Sequence, residues 1–174
     1  GLAYEIVLVD DGSADRTWEL IAAESAQDRR VRGIRLSRNF GHQMALTAGL
    51  ERARGADILV IDADLQDPPE LLGPMLARRR EGFDIVYGRR VKREASLFAR
   101  LAYKLFYRIF DAFSYLHIPH DAGDFSLIDR RAVKAMLRYP ERDFFLRGIR
   151  ASVGFKQTGI DYHRPKRMFG HSTN

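Results

Sequence analysis

The feature that most constrains this chain is a repeated alternation: short runs rich in Val and Ile end in acidic or glycine-containing turns, then give way to helical patterns. Strands buried on both faces read as near-continuous apolar runs, and parallel neighbours need a long crossover, usually a helix. Three such units stand out. Ile6–Val9 runs into Asp10-Asp11-Gly12-Ser13 and a helix from about Asp15 to Gln27, with Ser13 or Asp15 available as its cap. Val31–Leu36 precedes Ser37-Arg38-Asn39-Phe40-Gly41-His42, a helix to Arg54, and Gly55 as its stop. Asp57–Ile61 leads into Asp62-Ala63-Asp64-Leu65-Gln66-Asp67-Pro68-Pro69, whose prolines suit the first turn of a helix to about Arg80. Asp84–Tyr87 reads as a further strand, ending in Gly88-Arg89-Arg90. The expected fold class is α/β, a mostly parallel, Rossmann-like sheet flanked by helices. Ligands of such sheets sit outside the carboxyl ends of the strands, which is where these polar clusters fall.

The second half reads differently. A helical pattern over Ala95–Tyr115 carries Leu97, Phe98, Leu101, Leu105, Phe106, Ile109, Phe110 and Phe113 on one face and Arg100, Lys104 and Arg108 elsewhere. It either packs on the sheet or lies on an anionic membrane surface. Asp121-Ala122-Gly123-Asp124 precedes a strand at Phe125–Ile128. Helices around Arg131–Arg138 and Arg142–Ala151 follow, then short strands at Phe155–Thr158 and Ile160–His163. No repeat or linker interrupts residues 1–174, so one domain is expected; Gly1 in place of Met, with a strand almost at once, suggests a piece of a longer protein.

With 29 Lys+Arg against 23 Asp+Glu, the net charge of +6 favours anionic partners: phosphates, nucleic acid or an acidic membrane. Zero cysteines exclude disulfides, zinc-thiolate sites and thiol nucleophiles. His42, His117, His120, His163 and His171 lack metal-ligand spacing. No strand is followed by Gly-x-Gly-x-x-Gly, which argues against a dinucleotide oxidoreductase. The aromatics of the Ala95–Tyr115 helix lie on its apolar stripe, not interleaved with basic residues on a strand face, which argues against a nucleic-acid binder. A receiver domain would share the two Asp clusters, but motifs continue past residue 120 without regular βα units. No run of about 18 uncharged apolar residues is present.

The remaining chemistry rests on carboxylates and arginines. Asp62 and Asp64, one residue apart on a turn, can direct oxygens at one hard cation, Mg²⁺ or Mn²⁺, completed by substrate phosphates. The alternative is a solvated turn in which Asp64 or Asp67 caps the following helix. Asp10 and Asp11 can accept hydrogen bonds from a base or ribose, or simply make a turn with Gly12 and Ser13. Asp121 and Asp124 flank Gly123, which permits close backbone approach or a plain turn. Arg89, Arg90, Arg147, Arg164 and Arg167 suit phosphate oxygens, or a solvated surface.

Taken in order, Val9-Asp10-Asp11-Gly12-Ser13-Ala14-Asp15-Arg16-Thr17, Ser37-Arg38-Asn39-Phe40-Gly41-His42-Gln43, Asp62-Ala63-Asp64-Leu65-Gln66-Asp67-Pro68-Pro69-Glu70 and Asp121-Ala122-Gly123-Asp124-Phe125 resemble family 2 glycosyltransferases. The resemblance is to the branch that includes dolichyl-phosphate mannose synthase and bacterial polyprenyl-phosphate glycosyltransferases. It implies a GT-A fold, a UDP- or GDP-sugar donor, Mg²⁺ or Mn²⁺, and inverting transfer to a lipid phosphate at the cytoplasmic face of a membrane. It further implies that Asp10 and Asp11 bind the donor base, that Asp62, Asp64 and Gln66 hold the metal and diphosphate, and that Asp121 and Asp124 lie beside sugar and acceptor. Arg89, Arg90, Arg147, Arg164 and Arg167 become acceptor-phosphate ligands, so that Asp121, Asp124, Arg89 and Arg147 form the expected catalytic set. Family members carry an earlier strand before Tyr4, and many have membrane helices after the core. The alternatives are transfer to a sugar hydroxyl, with Asp121 or Asp124 as base, and a non-enzymatic basic module on a membrane surface.

Overall fold

A computed structural model describes residues 3–90, 122–139 and 146–163. The expected helix over Ala95–Tyr115, together with Asp121, Arg164 and Arg167, lies outside the described residues. The chain divides into two compact units, one from Gly1–Ile58 with Asp129–Leu146, the other from Leu59–Ile128 with Arg147–Asn174.

In the first unit β1 (Ile6–Asp10) and β2 (Val31–Arg35) pair in parallel, with Ile6 opposite Val31 and Asp10 opposite Arg35. The crossover is α1 (Thr17–Gln27), which packs so closely on β2 that a Cβ at Gly33 would lie 2.6 Å from Ile21 and 3.1 Å from Trp18. Of the two candidate caps it is Asp15 whose carboxylate accepts the Thr17 N–H, at 2.9 Å. α2 (His42–Arg52) lies against β1 through Gly49 and Val9. It ends three residues before Gly55, because Ala53 turns extended while its N–H still bonds the Gly49 carbonyl. α4 (Arg130–Met136) is capped by Asp129, which accepts the Arg131 N–H at 2.6 Å, and it buries Ala132, Val133 and Met136.

A second sheet has four strands in the order β3-β5-β4-β6, formed by β3 (Asp57–Val60), β4 (Ile85–Arg90), β5 (Ala122–Asp129) and β6 (Gln157–Tyr162). β6 runs parallel to β4, but β5 runs antiparallel to it. Between β3 and β4 lie a 3₁₀ turn at Pro69–Leu71, started by proline as expected, and α3 (Leu72–Arg80). The second unit's core joins Met75 of α3 to Val86, Phe125, Leu127 and Tyr162 of the sheet. The two strands expected at Phe155–Thr158 and Ile160–His163 form the single β6. Gly159 within it makes room for a ring, since a Cβ there would fall 2.9 Å from Tyr87. The last helix, α5, runs over Leu146–Ser152. Among the described residues, no helix is long and apolar enough to cross a membrane.

Candidate active site

The antiparallel direction of β5 decides where the acidic and basic residues of the second unit meet. Arg89 and Arg90 end β4, and Tyr162, opposite Arg90 in register, ends β6. Because β5 runs the other way, its start is brought to that same end, with Ala122 opposite Arg89. Gly123 and Asp124 follow directly, so a signal expected to precede a strand at Phe125 lies within β5, at the end where the other signals follow theirs.

Gly123 is the point of closest approach. A Cβ there would fall 2.9 Å from Arg90 Nη2, and the Gly123 carbonyl accepts a hydrogen bond from Arg150 Nη1 at 3.2 Å. Asp124 is 8% exposed, and its Oδ1 lies 3.4 Å from Arg147 Nε. Arg150 is 1% exposed and places its guanidinium 4.9 Å from the Tyr87 ring centroid. Burial lowers its pKa to about 10, against the pull of Asp124 and Tyr87 in the other direction, so it remains a cation at neutral pH. A buried guanidinium is costly unless well paired, yet Arg150 Nη2 has no hydrogen-bond partner among the described residues. Arg90, Arg147 and Arg150 thus gather around one glycine and one carboxylate. Sequence reasoning missed Arg150. The available signal was its spacing from Arg147, which puts both on one face of α5.

Arg89 pairs instead with Asp161 of β6, and this hydrogen bond holds the Asp161 carboxyl below its ordinary pKa. Arg90 is half-buried, with Nε 3.3 Å from the Tyr162 hydroxyl oxygen. Burial opposes its charge, but the Tyr162 hydroxyl, Asp67 and Asp62 together hold the guanidinium above its ordinary pKa.

Asp62 and Asp64 lie on the loop after β3, both half-buried, and Gln66 beside them is buried. Asp64 Oδ1 accepts the Gln66 N–H at 3.1 Å, closing a tight turn. The turn that follows has Pro68 at its N-cap position, which offers no side-chain cap. Asp67 is 2% exposed and accepts the Tyr162 O–H at 2.8 Å. Among the described residues no group of three or more His, Asp or Glu could hold a metal ion. Two carboxylates and an amide oxygen do fit a hard cation such as Mg²⁺ or Mn²⁺ that takes its other ligands from a bound diphosphate.

In the first unit, Asp10 ends β1 almost fully buried and accepts the Ser13 N–H at 2.9 Å. Its other oxygen lies 3.7 Å from Arg35 Nε. Asp11 spans a longer gap, with one oxygen accepting the Phe40 N–H at 2.7 Å and the other the Gly41 N–H at 2.9 Å. The first two sequence motifs are therefore joined directly.

Comparison with known proteins places these motifs. Residues 1–137 match glycosyl transferase family 2. An uncharacterized glycosyltransferase of Bacillus subtilis, YkcC, is 45% identical over 170 residues, covering 97% of this chain and 53% of the relative. The bactoprenol glucosyl transferase of Shigella phage SfV is 36% identical over 169 residues, covering 97% of this chain and 55% of the relative. The chain thus spans about half the length of these curated relatives. Among solved structures, glucosyl-3-phosphoglycerate synthase from Mycobacterium tuberculosis, in complex with UDP, aligns with TM-score 0.50 and 22% identity over 97% of this chain and 64% of that one, a likeness of fold alone. With its motifs in order on a GT-A α/β fold, this chain belongs to glycosyl transferase family 2.

Proposed function

We propose that the whole protein transfers a sugar, with inversion, from a nucleotide-diphosphate sugar to a polyprenyl phosphate at the cytoplasmic face of a membrane. The observation that carries this reading is the arginine cluster around Gly123 and Asp124, which shares one end of a sheet with the half-buried carboxylates of the loop after β3. Transfer between two phosphate-bearing substrates needs cations near both anions, and the gathered guanidinium groups suit that need. The bactoprenol glucosyl transferase among the relatives supports a lipid-phosphate acceptor.

In this reading Asp62, Asp64 and Gln66 hold Mg²⁺ or Mn²⁺, which would offset the charge that develops on the departing diphosphate. Asp10 and Asp11 serve the donor's base. Arg90 and Arg147 bind the acceptor phosphate, with Arg89, Arg164 and Arg167 as further ligands. A phosphate monoester has a second pKa of about 6, so at neutral pH the acceptor is mostly ionised and attacks without a strong base. Asp124, held by Arg147, and Asp121 orient the sugar's hydroxyls and support positive charge at the anomeric carbon.

Asp64→Asn in the full-length protein should lower metal-dependent transfer by about 100-fold or more while leaving the circular dichroism spectrum unchanged. Unchanged turnover with a native spectrum sinks the metal assignment. Assays with UDP- and GDP-sugars against polyprenyl phosphate and free sugars test donor and acceptor. Transfer to a free sugar, with none to the lipid phosphate, sinks the acceptor.

A further inference from the structure

Asp67 stands in the middle of the acidic loop, yet it is turned inward. It is 2% exposed, and the hydroxyl that reaches it belongs to Tyr162, ninety-five residues further along the chain. Its second oxygen lies 3.4 Å from the Asp62 backbone nitrogen, so the same carboxylate faces both β6 and the first residue of the loop. A buried carboxylate needs hydrogen bonds and compensating charge. Tyr162 supplies the first, and Arg90, whose Nε faces the Tyr162 hydroxyl, contributes the second.

The position of that hydroxyl is fixed from behind. The Tyr162 ring is buried, meets Phe125 edge to face at 5.5 Å, and lies over Gly88, where a Cβ would fall 2.8 Å from Tyr162 Cε1. Rigid core packing therefore sets the hydroxyl, and the hydroxyl sets Asp67. The loop itself is not relaxed: Leu65, an exposed leucine, has φ +59°. A left-handed conformation is unfavourable for a non-glycine residue and persists where surrounding contacts over-determine it.

We propose that Tyr162 is a positioning residue that acts through Asp67: it presets the backbone of loop 62–67 so that Asp62 and Asp64 are arranged for a divalent cation before any donor binds. This rests on the reading of Asp62 and Asp64 as metal ligands. Outer-shell partners of ligand-bearing groups typically contribute 10–100-fold in metal affinity.

The test is a titration of Mn²⁺ alone, followed by the loss of the free-ion electron paramagnetic resonance signal, on the full-length wild type, Tyr162→Phe, Asp67→Asn and Asp64→Asn. Tyr162→Phe keeps the ring and should keep the fold, with a near-wild-type melting temperature. It should weaken Mn²⁺ binding about 10-fold and speed amide hydrogen exchange at residues 62–67. Its transfer rate should recover at saturating Mn²⁺, so that the defect appears in metal half-saturation and not in kcat. Asp67→Asn should behave alike, and Asp64→Asn should lose Mn²⁺ binding. If Asp64→Asn loses the ion while Tyr162→Phe binds it as wild type does, or exchanges normally at 62–67, the positioning role is overturned with the metal reading intact. If Asp64→Asn binds Mn²⁺ normally, both fall.

Discussion

Two acidic turns follow strands in this chain, and they are held in opposite ways. After β1, Asp11 is tied to a distant loop through backbone groups, the N–H of Phe40 and of Gly41. After β3, Asp67 is tied to a distant strand through a side chain, the Tyr162 hydroxyl. A tie to the backbone survives any substitution of the partner except proline, whereas a tie to a hydroxyl is lost with one oxygen atom. The first turn is thus fixed by its own residues, and the second depends on a particular residue ninety-five positions away.

The largest test of this contrast is at Gly12, which has φ +70° and packs backbone to backbone against the Ser37–Gly41 loop; a Cβ would fall 2.7 Å from the Asn39 nitrogen. Gly12→Ala combines left-handed strain with a clash that no side chain can relieve. It should lower stability by about 3 kcal/mol or more in urea denaturation. Asp11→Ala comes next, at about 2 kcal/mol, since it removes a charged acceptor from two N–H groups. Phe40→Ala should be the mildest, under about 1 kcal/mol: it deletes an exposed ring that lies 4.0 Å from the Arg38 guanidinium but leaves the Phe40 N–H in place. If Phe40→Ala destabilises as much as Asp11→Ala, the backbone tie is not what holds the first turn, and the contrast collapses.

Much of the fold was legible because its signals are local. Apolar runs, Asp15 as a cap and proline at the start of a turn each act within a few residues, and β1 to β4 fall where they were expected. The direction of β5 was not legible, because strand direction depends on the connection before it and on pairing partners far away. That residues 157–162 form one strand, where two were expected, was hidden for a related reason: a glycine that admits a ring from a neighbouring strand has the same letter as one that breaks a strand. The candidate site divides in the same manner. Asp62, Asp64, Asp124 and Arg147 came from motif and spacing, and the structure sets Asp124 against Arg147. Asp67 was read only as a cap for the next helix, since nothing near it in sequence announces a tyrosine hydroxyl. Arg150 drew no reading from the sequence, and only burial under Tyr87 and Gly123 sets it apart.

Trp18 gives the close packing of α1 on β2 an optical consequence. It is the sole tryptophan among 174 residues, lies against Gly33, and has the Arg35 guanidinium 5.7 Å from its ring. Light absorbed selectively by the indole is therefore emitted from the first unit alone. An unlabelled sample thus carries a built-in reporter of the first unit, whose melting can be followed by indole emission without a probe.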